Sequence, residues 1–196
     1  MALTIETRPS QMRPITTGRL LGRAPHKSYL KRRLAKLGLL TIEDYIALAV
    51  ARGCSHYDNQ RAVRHVSEAE LSNEELCAVL LSAANEYEPR AIRVAGQLLS
   101  NPKTNLKRLC RLVAMENNLE SLQWIQKAGA ETEPGNLFWR DLNTTIRNTQ
   151  RLRGLPVNVL PHPSRFRVET GFLRHRKEQT IHKQWLRPIP QESLRR

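Results

Sequence analysis

The sequence predicts an all-α protein whose body is a set of stacked helix-turn-helix pairs, similar to an α-solenoid, with extended basic N- and C-terminal arms. Three observations support this fold class. Residues 72–129 contain two consecutive units with helical apolar spacing, a 33-residue shift aligns one unit with the other, and charge divides sharply along the chain. The central units therefore indicate the architecture, and the basic charge of the flanking segments indicates the kind of partner.

The first central unit begins at a capping box. Ser72 and Glu75 have the spacing at which each side chain bonds to the backbone N–H of the other residue. The apolar stripe that follows predicts a helix ending near Ser82. Pro89 suits the first turn of a second helix, where its missing N–H costs nothing, and that helix is expected to end at Ser100.

The second unit repeats this plan. Helices are predicted over Thr104–Asn117 and Leu119–Ala128, the latter closed by Gly129 at the C′ position. Shifting the chain by 33 residues gives six identities in the 21 positions 76–96, and these include one cysteine pair and one glycine pair. A period near this length is typical of arrays of helical pairs, including HEAT-like ones.

A family resemblance lies within the second unit. Residues 112–131 read Leu-Val-Ala-Met-Glu-Asn-Asn-Leu-Glu-Ser-Leu-Gln-Trp-Ile-Gln-Lys-Ala-Gly-Ala-Glu. The Leu-x-Ala start, the Leu119-Glu120 opening of the second helix and the Ala-Gly-Ala-Glu ending resemble the two-helix body of an ankyrin repeat. Where ankyrin repeats have Thr-Pro-Leu-His, this chain has Arg108-Leu-Cys-Arg111. The resemblance implies a binding scaffold rather than a catalyst.

Charge separates the chain into a neutral body and two basic ends. Residues 1–40 carry a net charge of +8, residues 41–150 carry −2, and residues 151–196 carry +8. Such asymmetry is typical of segments that meet nucleic acid, anionic lipid or an acidic protein face. We therefore expect an extended arm over 1–25, a helical body over 26–150 and a proline-containing basic tail over 151–196. Within the body we expect a helical hairpin region at 27–66, the repeat-like pairs at 72–129 and a closing helix at 136–150.

The first two helices of the body form the expected hairpin. Ser28 caps the first helix and Gly38 ends it, whereas Thr41 caps the second, which Gly53 ends. A DNA-binding helix-turn-helix is the alternative, but carboxylates in the first turn of the second helix would repel phosphate. The first helix is the better candidate for contact with nucleic acid or an acidic partner, through Lys31, Arg32, Arg33 and Lys36.

The C-terminal tail supplies the remaining basic candidates. The prolines after Leu152 favour extended chain. Residues 165–169 and 170–174 could form a short strand or lie along a partner, and a helix over Leu173–Trp185 is the alternative. The candidate contacts with nucleic acid or an acidic partner are Arg165, Arg167, Arg174, Arg176, Lys177 and Lys183.

Tryptophans mark the other candidate contacts. Trp124 and Trp139 are interpreted most simply as core packing, and alternatively as contacts to a protein partner. Trp185, like the phenylalanines of the tail, suits either stacking on single-stranded bases or anchoring of the tail to its own body.

Catalytic and metal chemistry find little support in the sequence. Cys54 and His56, with His65 nearby, form the one cluster with ligand chemistry, but a structural zinc site needs four ligands. His65 falls in a short helix predicted over 58–70. The chain has no glycine-rich phosphate loop, no HExxH and no nucleophile elbow. We therefore expect no catalytic residue, no metal and no cofactor.

These observations predict a non-enzymatic interaction or scaffold protein. Its helical body would bind a protein partner, and its basic arms would bind an acidic partner or nucleic acid. The alternatives are a nucleic-acid-binding protein whose arms are the main site and, third, an enzyme of another type. The three cysteines fit a reducing compartment, and no apolar stretch reaches the length of a membrane span. A cytoplasmic location is expected, with organellar import as the alternative because the N-terminus is rich in Arg and Thr.

Overall fold

The computed structural model describes residues 28–54, 66–85, 88–153, 172–177 and 180–189. Within these residues it contains seven helices: α1 (Tyr29–Lys36), α2 (Ile42–Ala51), α3 (Asn73–Leu80), α4 (Pro89–Leu99), α5 (Leu106–Met115), α6 (Leu119–Thr132) and α7 (Leu137–Arg153). Two strands follow, β1 (Phe172–Lys177) and β2 (Thr180–Trp185). The helical class predicted for the body is confirmed. None of the helices so described has the length and apolar character needed to cross a membrane.

Helix starts follow the local signals in the sequence. The Ser28 hydroxyl accepts from the Lys31 N–H at 2.9 Å, and Ser72 and Glu75 form the reciprocal capping box. Thr41 and Asp44 form a second capping box, and Pro89 is the first residue of α4. In the caps at Ser28, Thr41 and Ser72 the bonded residues are three positions apart, which is why the sequence alone predicts these caps.

Gly129 does not end α6, so the helix stop predicted there is wrong. The helix continues to Thr132, and the ring of Trp139 packs against the Gly129 backbone. A Cβ atom at position 129 would lie 2.4 Å from Cε2 of that ring. Glycine is therefore required for a close approach rather than for a turn.

Two other predicted boundaries also change. In the described part of the predicted 58–70 helix, residues 66–70, there is no helix and residues 68–70 form a turn, while residues 58–65 lie outside the described residues. The closing helix α7 continues beyond the predicted end, to Arg153.

Alternate helices contact one another across the body. Helix α3 packs against α1 and α5, α5 packs against α7, and α2 packs against α4. Sequential neighbours also contact, including α3 with α4, α5 with α6, and α6 with α7. Buried apolar side chains from Leu30 to Trp185 form one continuous cluster.

The C-terminal strands form an antiparallel pair in which Phe172 lies opposite Trp185 and Arg174 opposite Lys183. The strand alternative, which ended at Arg174, agrees with β1 over residues 172–174 only; β2 was not predicted, and the helix alternative over 173–185 is wrong. The β-branched residues Thr180 and Ile181 favour the extended backbone seen in β2.

The chain that leaves β2 lies along the helical body. We call residues 185–189 the C-terminal strap. Trp185 is 1% exposed, its indole N–H donates to the Gly96 carbonyl at 3.3 Å, and its ring meets Trp139 edge to face with centroids 4.6 Å apart. For this residue, anchoring of the tail to its own body is the interpretation that the structure confirms.

Hydrogen bonds to the backbone of the strap hold its remaining residues in place. The Ser100 hydroxyl donates to the Leu186 carbonyl at 3.2 Å, and the Gln97 amide donates to the Arg187 carbonyl at 3.1 Å. The Ile189 N–H donates to the Gly53 carbonyl at 2.8 Å. The strap therefore bonds to α4 and to the residue pair that follows α2.

Candidate functional site

Helices α1 and α5 run in opposite directions over α3, and a buried glutamate fixes one end of this arrangement. Glu116, which follows α5, is 1% exposed. Its carboxylate accepts from the Leu30 N–H at 3.3 Å and from the Ser82 hydroxyl at 2.6 Å. The start of α1, the end of α3 and the end of α5 thus meet at one carboxylate, whose burial is offset by these hydrogen bonds.

A second buried glutamate fixes the opposite end. The Glu75 side chain is 5% exposed, and its Oε2 accepts from the Ser72 N–H at 2.9 Å. Its Oε1 is contacted by two guanidinium groups, that of Arg33 from α1 and that of Arg108 from α5, the latter at 3.3 Å. Two cations therefore share one buried anion, and they lie close together on the surface above it.

Further cations accompany these two arginines. We define the α1–α5 basic surface as three residues from each helix: Arg32, Arg33 and Lys36 of α1, and Lys107, Arg108 and Arg111 of α5. All except the partly buried Arg33 are exposed. Residues three and four apart are neighbours on a helix, so each trio forms one patch. Neither α1 nor α5 contains an acidic residue.

The four basic residues predicted on α1 do not share one environment. Lys31 donates from Nζ to the Ala84 carbonyl at 2.9 Å, and Arg33 donates from Nη2 to the Glu70 carbonyl at 2.8 Å in addition to its contact with Glu75. These two side chains are tied to the body. Arg32 and Lys36 are the members of the predicted set whose side chains are exposed.

The predicted basic residues of the tail are placed only in part. Arg174, Arg176, Lys177 and Lys183 belong to the β-hairpin, where Arg176 lies opposite Ile181 and Lys177 opposite Thr180. Strand β2 contacts α6. Arg165 and Arg167 lie outside the described residues.

The two tryptophans proposed as contacts to a protein partner differ. Trp139 is 1% exposed and its indole N–H donates to Glu133 at 2.9 Å, so its ring lies in the core and does not reach the surface. Core packing, the simpler interpretation of Trp139, is the one that the structure supports. Trp124 is partly buried and packs against the same core from α6.

The cysteines are buried and protonated. Burial raises the pKa of Cys54 and of Cys110 to about 12, and it raises the pKa of Cys77 as well. A thiol of this kind is a poor nucleophile, because the thiolate is the reactive form. Across the parts of the chain that the structure describes, no three potential ligands among His, Cys, Asp and Glu come together as a metal site. His56 and His65 fall outside those parts.

Sequence reasoning missed the α5 half of the basic surface. Lys107, Arg108 and Arg111 have the same relative spacing as Arg32, Arg33 and Lys36, one residue and then three residues apart. That shared spacing was a signal in the sequence, but only the packing of α1 and α5 on α3 shows that the two trios meet.

Comparisons with known proteins give no relative from which a role for this surface could be inferred. No protein family matches the chain, and no curated protein or solved structure is significantly similar to it. The ankyrin-like interpretation of residues 112–131 stays a prediction.

Proposed function

We propose that the chain is a non-enzymatic interaction protein that binds an acidic partner through the α1–α5 basic surface. The observation that carries this proposal is the meeting of Arg33 and Arg108 at Glu75. One buried carboxylate balances one of the two guanidinium charges, and the surrounding Lys and Arg side chains keep the surface positive. A surface of one sign attracts partners of the opposite sign and raises their association rate.

The flanking segments strengthen the same attraction. Residues 1–40 and 151–196 each contribute a net charge of +8, against −2 for the segment between them. In the proposed architecture these are basic arms on a solenoid-like stack of helical pairs. Their field would gather an acidic partner, and α1 and α5 would provide an ordered place for it to bind.

The helical body is also proposed to bind a protein partner. The resemblance of residues 112–131 to an ankyrin repeat supports a scaffold role, to which the partly buried Trp124 of α6 is proposed to contribute. The proposal contains no catalytic step, and the three buried cysteines, whose pKa values burial raises, are poor candidates for a nucleophile.

A charge-removal experiment tests the acidic-partner proposal. The variant Arg32→Gln, Lys36→Gln, Lys107→Gln, Arg111→Gln removes four exposed cations and leaves the Arg33–Glu75–Arg108 contacts in place. We expect it to lose most of its binding to immobilised poly-glutamate at low salt, because surface electrostatics dominates there.

The matched control removes four exposed cations elsewhere: Lys127→Gln, Arg140→Gln, Arg147→Gln and Arg151→Gln. It should retain binding close to that of the unmodified protein, and circular dichroism should show both variants folded. Equal loss in the two variants would contradict a localised surface, since only total charge would then matter.

A second candidate function is binding of nucleic acid through the arms as the main site. The register of the hairpin favours it, since Arg174 lies opposite Lys183 and brings two cationic positions together. The pair Arg174→Gln, Lys183→Gln should then reduce binding of an oligonucleotide more than the four-residue α1–α5 variant does. The reverse order would favour the α1–α5 basic surface.

A further inference from the structure

We infer that the α1–α5 basic surface binds single-stranded nucleic acid, with its cations at the phosphates and Tyr29 against an unpaired base. The inference rests on the proposed function, because it names the chemistry of the acidic partner. It depends on an exposed aromatic side chain that the electrostatic argument alone does not use.

Tyr29 is placed next to the cations of α1. It is the first residue of that helix and is 57% exposed. Arg32 and Arg33 follow it by three and four residues, so they are its neighbours on the helix surface. An exposed aromatic ring beside a basic track is the combination with which proteins hold single strands, because bases stack on the ring while cations meet the backbone.

The second helix continues this track. The Leu30–Glu116 hydrogen bond joins the residues that follow Tyr29 and Met115, both of which have exposed side chains. From Met115, α5 runs back about 10 Å to Arg108, at a rise of about 1.5 Å per residue. One end of the surface is therefore aromatic and apolar, and the other is cationic.

The composition of this surface disfavours the other acidic partners. The core of a protein–protein interface is depleted in charged residues as a class, although Arg, Tyr and Met are enriched there. Here the exposed side chains of α1 and α5 are five cations together with Tyr29, Ala35 and Met115. A nucleic-acid duplex offers phosphates, to which the Tyr29 hydroxyl could also donate, but its stacked bases present no face to the Tyr29 ring. An unpaired strand uses both parts of the surface.

The first experiment measures phosphate contacts. A fluorescent oligouridylate of about 12 nucleotides is titrated with the full chain at several salt concentrations. The variant Arg32→Gln, Arg111→Gln removes one exposed cation from each helix. Each lost phosphate contact lowers the slope of log K against log salt by about 0.7 for single strands, so we expect a decrease of about 1.4 and a roughly tenfold weaker Kd near 0.15 M salt.

The charge-matched control is Lys127→Gln, Arg147→Gln, on α6 and α7. We expect its slope and Kd to match those of the unmodified protein. If the control changes the slope as much as the test pair does, binding follows net charge alone and the inference is overturned.

The second experiment measures base stacking. Tyr29→Ala should weaken binding by at least about fivefold, whereas Tyr29→Phe should retain it, because stacking requires the ring and not the hydroxyl. Leu137→Ala is the matched control, since Leu137 is the first residue of α7 and is 58% exposed. Equal affinity for a duplex of the same length, with no effect of Tyr29→Ala, would overturn the single-strand inference.

The failure of this inference and that of the proposed function give different results. If the α1–α5 substitutions weaken binding to poly-glutamate but not to the oligouridylate, the single-strand inference is rejected and the acidic-partner proposal stands. If the substitutions weaken binding to neither probe, the inference and the proposed function are both rejected.

Discussion

At the scale of single residues, the contact between Gly129 and Trp139 explains a glycine inside a helix. Glycine within a helix ordinarily costs about 1 kcal/mol relative to alanine. In α6 this cost is accepted because the Trp139 ring occupies the space that a Cβ atom would need. The residue that breaks the local rule is thus required by a packing contact from the next helix.

Gly129→Ala should therefore destabilise the protein, by about 1–3 kcal/mol, because overpacking forces the ring or the helix to shift. The midpoint of urea unfolding measures the effect. In a Trp139→Leu background the same substitution should become neutral or stabilising, since alanine is the better helix former. A higher urea midpoint for Gly129→Ala in the otherwise unmodified chain would contradict the packing argument.

Single residues also show how far sequence alone predicts this structure. The caps at Ser28, Thr41 and Ser72 were predicted because their partners lie three residues away. The role of Gly129 was missed because its partner lies in the next helix, and glycine is common at helix ends. The meeting of Arg33 with Arg108 was missed because it depends on the packing of three helices.

At the scale of elements, the C-terminal strap connects α4, α7 and the residues that follow α2. Trp185 fills a site beside α4 and meets Trp139 of α7. Local sequence patterns offered two outcomes for this indole, and the choice depends on Gly96 and Trp139, which lie far away in sequence. The strap is therefore an element that sequence reasoning cannot place without the body.

Trp185→Ala should destabilise the body by about 3–5 kcal/mol, as expected for removal of a fully buried Trp side chain. Circular dichroism during urea unfolding measures the change. Ile189→Ala is the control within the same strap, because Ile189 is bound through its backbone N–H and its side chain is 37% exposed. A loss below about 1 kcal/mol for Trp185→Ala would mean that the strap does not contribute to the core.

The strap is also fastened by an ion pair. Both oxygens of Glu133 accept from the Arg187 guanidinium, at 2.8 and 2.6 Å. Burial raises the pKa of Glu133, but hydrogen bonds from Arg187, Trp139 and Asn136 outweigh it, and the net pKa is lowered. A carboxyl group of this kind stabilises the folded state above its unfolded pKa of about 4.3, and the contribution is lost as pH falls through the lower folded value.

Glu133→Gln should therefore cost about 1 kcal/mol near neutral pH, the scale of a favourable surface ion pair. The difference from the unmodified protein should shrink as pH falls below the unfolded pKa of about 4.3 and through the lower folded pKa, because protonation then removes the Glu133 carboxylate. Urea unfolding across this range measures it. For Glu131→Gln, at an exposed neighbouring position, the difference in the free energy of unfolding should not change in this way with pH. A loss of stability in Glu133→Gln that stays the same at all pH values would contradict a contribution from the Glu133–Arg187 ion pair.

At the scale of the whole molecule, one apolar cluster joins α1 to the strap. Cys54, Cys77 and Cys110 lie along this cluster, three residues after α2, in α3 and in α5. A single cluster predicts that the body unfolds as one unit rather than helix pair by helix pair.

Thiol labelling by an aromatic disulfide tests this cooperativity. In variants that keep one cysteine each, labelling near pH 8 should be slow in the folded protein, because burial and the raised pKa values disfavour the thiolate. As urea increases, the three positions should become reactive with the same midpoint. Earlier exposure of Cys54 alone would indicate that the α1–α2 hairpin opens separately.

The place of Trp185 beside Gly96 has a consequence for synthesis of the chain. Helices packed against near neighbours can form as they leave the ribosome, whereas the place beside Gly96 stays empty until Trp185 arrives. At about 5–20 residues per second, the stretch of roughly 30 residues after α7 takes about 2–6 s to be made. During that interval the Trp139 ring lacks its partner, so the nascent protein is expected to require a chaperone more than the finished one.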